Sequence, residues 1–382
     1  MNSVLRLRKY NSIQEAKRDI KVFQLPDISA SSLLQGTVII AEGSTTELLD
    51  ISKEALDVGG KAYSGHYDDH ELTLLWFPHL SASEILFMND SALAKCINHY
   101  QSRDLSIDIP LPQGHLRTDH TIVMGILNVT PDSFYDGGHH NGVKEAVIRA
   151  RKMVSEGADI IDVGGESTRP GWTPISVEEE LSRVIPVIEE IASTIDIPIS
   201  IDTMKARVAR EAVEAGASIV NDINGLRDND MVSAIRDTDA AAIIMHMRGE
   251  PMNMHAEVNI SDYNDVVSDV IWYLNKRIES AENRGIDRKR LIVDPGLGFG
   301  KTLEHNVELI RRCREIRCLG APILMGASRK RFIGQLSGAG PEDRVGGSVA
   351  SAIVAAMNGA SIIRVHDVGI TVQALRVANA IL

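Results

Sequence analysis

The chain has 382 residues and a formal net charge of -12, with 44% hydrophobic and 24% charged residues. Those proportions describe a soluble globular protein and exclude disordered or fibrous classes; no apolar run reaches the ~18 residues of a membrane helix, and the acidic balance argues against a nucleic-acid partner. At ~100–200 residues per typical domain, two unequal domains are expected.

The first residues lack a basic-then-apolar leader pattern, so a cytoplasmic protein is expected. Cys96, Cys313 and Cys318 show no paired spacing and read as plain thiols. Eight of the 16 aromatic residues fall within the first 120, a compositional shift that marks a separate unit. Apolar runs at 36–41 and 72–77 alternate with helix-like stretches at 45–56 and 83–99, which predicts a small α/β or α+β domain over 1–115. The Pro-containing stretch 109–115 reads as its linker, with the boundary near 110–118. No motif gives this domain a role, and oligomerisation or docking is the default expectation.

From 121 onward eight short apolar runs recur, at 122–127, 160–163, 197–201, 219–220, 241–245, 291–293, 323–325 and 362–365. They are continuously apolar, as parallel strands covered on both faces should be. Helix-like stretches separate most of them, at 143–156, 177–193, 205–215, 263–284, 304–317 and 344–358, and one more covers 369–382. Eight such units in about 262 residues predict a (βα)8 TIM barrel spanning 119–382, with an open doubly wound sheet as the runner-up.

Chemistry in a barrel of this kind sits at the carboxyl ends of the strands. There the chain places Asn128, the stretch Asp162 to Gly171, Asp202-Thr203, Asn221-Asp222, His246-Met247, Asp294 to Lys301, Ser328-Arg329-Lys330 and Arg364-Val365-His366-Asp367. Any one Asp or Asn could be a helix cap or a turn residue. Asp202, Asn221 and Asp294 together follow apolar strands and converge on one mouth, where unpaired carboxylates are costly and a donor-rich ligand would satisfy them. Arg169, Lys330, Arg364 and His366 gather cations on the same rim of an acidic chain, as an anionic leaving group requires. The expected site is therefore an acid-and-amide pocket under a cationic collar.

Two lookalikes are set aside. Gly296 to Thr302 ends like a phosphate-binding loop, but Pro295 occupies the first required glycine position, so it reads as a tight strand-to-helix turn with Phe299 aimed at the pocket. His246 with His255, and His139-His140, match no common metal spacing.

On these motifs the chain resembles dihydropteroate synthase over 121–382. The stretch 124–134 with Asp136-Gly137-Gly138, the stretch 162–171, and the five later motifs stand in the family's order. The resemblance implies condensation of a dihydropterin-methyl pyrophosphate with 4-aminobenzoate, with Mg²⁺ as cofactor and a homodimeric assembly. It implies that Asp294, Asp202, Asn221 and Lys330 bind the pterin, that Met247 and Phe299 wall it, and that Arg364 stacks on it while reaching phosphate. It further implies that Asn128 holds the metal, that Thr168, Arg169, Arg364 and His366 surround the pyrophosphate, that Phe134 and Pro170 line the aminobenzoate slot, and that Asp136 lies near the reacting carbon. Arg331 stands where many members have a serine. Two other readings share the pterin-binding barrel: a methyltetrahydrofolate methyltransferase, which has no need of Lys330 and His366, and a pterin-binding regulator without turnover.

Overall fold

The computed structural model describes residues 4–25, 28–68, 70–78, 92–101, 106–130, 139–166, 174–249 and 262–381. The chain divides into two compact units. The smaller comprises Met1–Leu105 with Tyr263–Asp269 and Arg314–Gly320; the larger holds Ser106–Asp262, Val270–Cys313 and Ala321–Leu382.

In the smaller unit β1 (Val4–Arg8), β2 (Thr37–Glu42), β3 (Lys61–Tyr67) and β4 (His70–Phe77) form an antiparallel sheet in the order β1-β2-β4-β3. Ile39, Ala41, Leu75 and Phe77 face the helices Thr45–Asp57 and Ala92–Gln101, while Val38, Ile40, Leu72 and Leu74 pack with Ala16, Phe23 and Leu33 on the other side. Both faces are covered, which explains why an antiparallel strand such as β2 lacks polar alternation. The unit is α+β, one of the two classes expected. Its interior also holds charge: Arg8 donates to Asp19 at 2.8 Å and to Glu315 at 3.3 Å, and Arg6 reaches Glu42 at 2.9 Å and Ser268 Oγ at 2.7 Å. Pairing is what makes such buried ions tolerable.

The larger unit begins with the hairpin β5 (Asp108–Leu111) and β6 (Gly114–Arg117). This is the stretch expected to be a linker. Its Ile109 and Leu116 are instead buried among Ile122, Ile160, Ile219, Ala241, Leu324 and Ile362, the first residues of barrel strands, so the hairpin plugs the barrel's amino-terminal end. The division between the units accordingly falls at Leu105–Ser106.

Eight parallel strands follow: β7 (Ile122–Asn128), β8 (Ile160–Gly164), β9 (Ile199–Asp202), β10 (Ile219–Asp222), β11 (Ala241–Met245), β12 (Leu291–Asp294), β13 (Leu324–Met325) and β14 (Ile362–Val365). They pair in chain order, β14 returns to β7, and the parallel bridge between Val293 and Ile323 joins β12 to the start of β13. The ring is the expected (βα)8 barrel. Helices Asn229–Thr238 and Arg331–Ser337 were not anticipated; both are short and polar at their starts. No described helix is long and apolar enough to cross a membrane.

Candidate active site

Strand register assembles the mouth of the barrel. Asn128, Gly164, Asp202 and Asn221 are successive partners across β7, β8, β9 and β10. A Cβ at Gly164 would meet its neighbours at ordinary contact distance, 3.7 Å from Asn128 Oδ1 and 3.6 Å from Asp202 Cβ, so this position lies between those two side chains. With no side chain between them, Asn128 and Asp202 border the same gap. Two residues earlier on the same face of β8, Asp162 is fully buried.

Arg364, in β14, ties this row together. Its Nε donates to Asp162 Oδ2 at 2.6 Å and its Nη2 to Asp202 Oδ2 at 2.6 Å. Asn221 Nδ2 donates to the same Asp162 oxygen at 3.4 Å. Asp162 Oδ1 has no partner among the described residues. Burial pushes the Asp202 carboxyl up to about 7 against the pull of Arg364, and Asp162 adds to the rise. Burial also works against the Arg364 charge, but Asp162 and Asp202 outweigh it and hold the guanidinium above the ordinary arginine range.

Asp294 closes the far side. Its Oδ1 accepts from the Gly296 N–H at 2.7 Å, and burial raises its carboxyl while Lys330 draws it down. Lys330 is the cap residue before the helix Arg331–Ser337. Burial lowers its ammonium to about 8, Asp294 opposing the fall and Arg364 adding to it. Lys330 Nζ donates to the Leu297 carbonyl and stands 4.5 Å from the centroid of the Phe299 ring. Phe299 and Met204 pack on the buried trio Ile223, Met245 and Met247, an apolar wall beside the charges.

The ends of β13 and β14 are clamped together. Ser328 Oγ lies 3.0 Å from His366 Nδ1 and accepts from the His366 N–H at 3.2 Å, and Arg329 donates twice to the Asp367 carboxylate, at 3.0 and 2.7 Å. This clamp sets Lys330 and His366 on adjacent loops.

The structure thus brings together Asp202, Asn221, Asp294, Met247, Phe299, Lys330 and Arg364, with Asn128 and His366 on the same rim. Phe134, Asp136, Thr168, Arg169 and Pro170 lie outside the described residues. Asp222 belongs to a turn: its two oxygens accept the Asn224 and Leu226 N–H groups, each at 2.8 Å. The Arg331 side chain is exposed at the start of its helix. The sequence reading also left Arg364 open for stacking and phosphate, whereas one edge of its guanidinium is already committed to two carboxylates. Asp162 opens the second strand-end motif of the sequence but was given no role of its own; the available signal was a carboxylate inside an otherwise apolar strand, on the face shared with Gly164.

A closed barrel with two buried carboxylates, a third partly buried, an amide and two cations at its carboxyl rim is an enzyme site suited to a flat polar heterocycle with an anionic tail. The family model described as pterin binding enzyme matches residues 124–366. The dihydropteroate synthase of Escherichia coli (strain K12) is 50% identical over 267 residues, 70% of this chain and 94% of that one. The Xanthomonas albilineans dihydropteroate synthase solved with 4-aminobenzoic acid is 47% identical, with a TM-score of 0.67 over 72% of this chain and 98% of that one. The same organism's enzyme in complex with 7,8-dihydropteroate gives a TM-score of 0.64 at 42% identity, with the same coverage of both chains. The chain belongs to the pterin binding enzymes and, among them, to the dihydropteroate synthases.

Lys330 carries a stability signature. Its pKa in the folded state, about 8, lies below that of an unfolded lysine, so the unfolded state binds more protons between pH 8 and the ordinary lysine range, and stability contributed through this group rises with pH there. Lys330→Met is expected to be more stable than the parent at pH 7, by about 1–3 kcal/mol, with the advantage shrinking as pH rises past 8. Urea unfolding at pH 7 and 9.5 checks this; a pH-independent difference, or a less stable variant at pH 7, contradicts it.

Proposed function

We infer that this chain joins 6-hydroxymethyl-7,8-dihydropterin pyrophosphate to 4-aminobenzoate, giving 7,8-dihydropteroate and pyrophosphate in folate synthesis. The observation that carries this reading is the bridged set Asp162, Arg364 and Asp202, with Asn221, Asp294 and Lys330, around one mouth. A pterin edge offers amino and ring N–H donors beside ring acceptors. Asp294 would accept from the donor edge, and Asp202, Asn221 and Lys330 would address the remaining heteroatoms. A ring lacking those groups leaves buried polar atoms unpaired, which is how such a pocket discriminates strongly. The face of Arg364 can stack on the pterin while its committed edge keeps the plane fixed.

In the reaction the arylamine nitrogen forms a bond to the exocyclic methylene carbon of the pterin. The bond from that carbon to the pyrophosphate oxygen breaks, its electron pair departs with pyrophosphate, and the amine loses a proton. The protein's part is positioning and charge stabilisation. His366, the outer edge of Arg364, Thr168 and Arg169 are assigned to the leaving group, Phe134 and Pro170 to the aminobenzoate slot, and Asp136 to the neighbourhood of the developing cation.

Mg²⁺ suits the donor that borders the gap. Asn128 supplies a neutral amide oxygen, a hard ligand for an ion that keeps most of its shell as water and phosphate oxygens. Bound there, the ion would offset the charge of the pyrophosphate. The Cys96 and Cys318 thiols, held as thiols outside any disulfide, favour a cytoplasmic setting, which cell fractionation would check.

Pyrophosphate release should require both substrates and fall when Mg²⁺ is chelated. Asp294→Asn and Lys330→Ala should each lower kcat/KM by about 2–4 kcal/mol of transition-state stabilisation. Turnover with bulkier arylamines but not with 4-aminobenzoate would redirect the acceptor assignment, and unchanged kcat/KM in both variants would remove these residues from the site.

We further propose a homodimer. The last two barrel helices, Val345–Met357 and Val368–Ile381, carry one charged residue between them, Arg376. Val354, Met357, Ile370, Val377 and Ile381 are all more than 40% exposed on these helices, from 44% to 78%. Such a surface suits burial against a second copy. Analytical ultracentrifugation should give a dimer that Ile370→Glu with Val377→Glu converts to monomer; a monomeric parent at micromolar concentration contradicts the proposal.

A further inference from the structure

Lys301 follows the last glycine of the loop between β12 and the helix Leu303–Arg311, and it is only 8% exposed. The substrate-binding assignments above make no use of it. Its ammonium nitrogen lies 2.9 Å from His246 Nδ1, 3.3 Å from the His246 carbonyl and 3.0 Å from the Phe299 carbonyl. Three acceptors match the three N–H bonds of an ammonium group. Burial lowers the pKa of both groups, well down for each, with Asp294 opposing the fall at Lys301; with Lys301 donating to Nδ1, His246 is the Nε2–H tautomer.

The loop lies directly on the chain after β11. Gly296, Gly298 and Gly300 have φ of 67, 81 and 63°. A Cβ at Gly296 would come within 2.0 Å of the His246 carbonyl oxygen, and one at Gly300 within 2.6 Å of the Arg248 carbonyl oxygen. Only glycine permits both this backbone and this approach. From the helix side, Asn306 Oδ1 accepts the Gly298 N–H at 2.6 Å.

The loop also forms the seat of Lys330. Lys330 Nζ donates to the Leu297 carbonyl, its stem passes where a Gly298 Cβ would lie 3.3 Å from Cδ, and its charge rests against the Phe299 ring. Lys301 therefore fastens the His246 and Phe299 backbones to each other, and the Phe299 ring in turn lies against the Lys330 ammonium. We propose that Lys301 is a positioning residue that, through the His246 and Phe299 carbonyls and the His246 ring, holds the Leu297–Phe299 seat under Lys330. It acts through Lys330 and touches no substrate.

This inference rests on the synthase reading, and the test separates the two. Lys301→Met is expected to lower kcat/KM by between about 10- and 100-fold, chiefly through a raised KM for the dihydropterin pyrophosphate, as a misplaced positioning group does. With its seat loosened, Lys330 regains solvent and its lowered pKa rises, so an alkaline limb of the kcat/KM profile that reports Lys330 should move to higher pH than in the parent. Lys301→Arg, which keeps a cationic donor, should recover part of the loss and part of the limb. His246→Leu, which removes the ring acceptor, is the second variant and should shift both quantities in the same direction. A folded Lys301→Met enzyme with parental KM and an unmoved limb overturns the proposal. So does failure of both variants to fold, which would make Lys301 a stability residue alone. If the parent releases no pyrophosphate from the two substrates, the synthase reading fails instead, and the variants are compared by calorimetric binding of the dihydropterin pyrophosphate, where equal affinity overturns the positioning role.

Discussion

The mouth of the barrel holds two fully or largely buried carboxylates, Asp162 and Asp202, side by side, and one guanidinium makes that possible. Arg364 donates to both at 2.6 Å, and removing it would leave like charges facing each other in a site with little water. The arrangement has a functional consequence. With Arg364 committed along one edge, the plane of its guanidinium is set before any ligand arrives, and the carboxylate row, Asn221 and Lys330 are oriented around it. Preorganisation of this kind lowers the ordering cost of binding and places polar groups where a wrong heterocycle leaves them unpaired.

Backbone geometry supplies the rest of the constraint. The row Asn128, Gly164, Asp202 and Asn221 exists because parallel strands of a closed barrel present equivalent positions at one level. Opposite this row, the left-handed glycines of the loop after β12 bring its backbone against His246 and Arg248 and provide the surface on which Lys330 lies. The Arg329–Asp367 and Ser328–His366 contacts then fix the two remaining loops to each other. Arg364 is held by Asp162 and Asp202, Lys330 by the Leu297 carbonyl and Asp294 by the Gly296 N–H, so the charged groups have protein partners around the place where the ring would sit.

Much of this was legible in the sequence. Eight largely apolar runs gave the barrel; polar residues directly after them gave Asp202, Asn221 and Asp294, the loop after the seventh gave Lys330, and the eighth run itself contains Arg364. What escaped did so for physical reasons. Asp162 was quoted within a motif but given no role, because its role depends on a partner more than 200 residues away. Lys301 was absorbed into a glycine turn, since nothing local indicates that its ammonium folds back onto the carbonyl two residues before it and onto a histidine 55 residues earlier. The hairpin at 108–117 looked like a linker because Pro110, Pro112 and Gly114 interrupt it; its two buried side chains, Ile109 and Leu116, acquire meaning only once the barrel provides an end to plug. In the smaller unit, apolar strands without alternation belonged to an antiparallel sheet covered on both faces, a case that strand composition alone does not separate from a parallel one.

The central claim is that Asp162 acts on ligand binding through Arg364. The most direct measurement is a double-mutant cycle on the calorimetric affinity for the dihydropterin pyrophosphate, using Asp162→Asn, Arg364→Met and the pair. A coupling of about 1–3 kcal/mol is predicted, since either change alone disables the same preorganised plane. Additivity within about 0.5 kcal/mol would show that the two residues contribute separately, and would contradict the account.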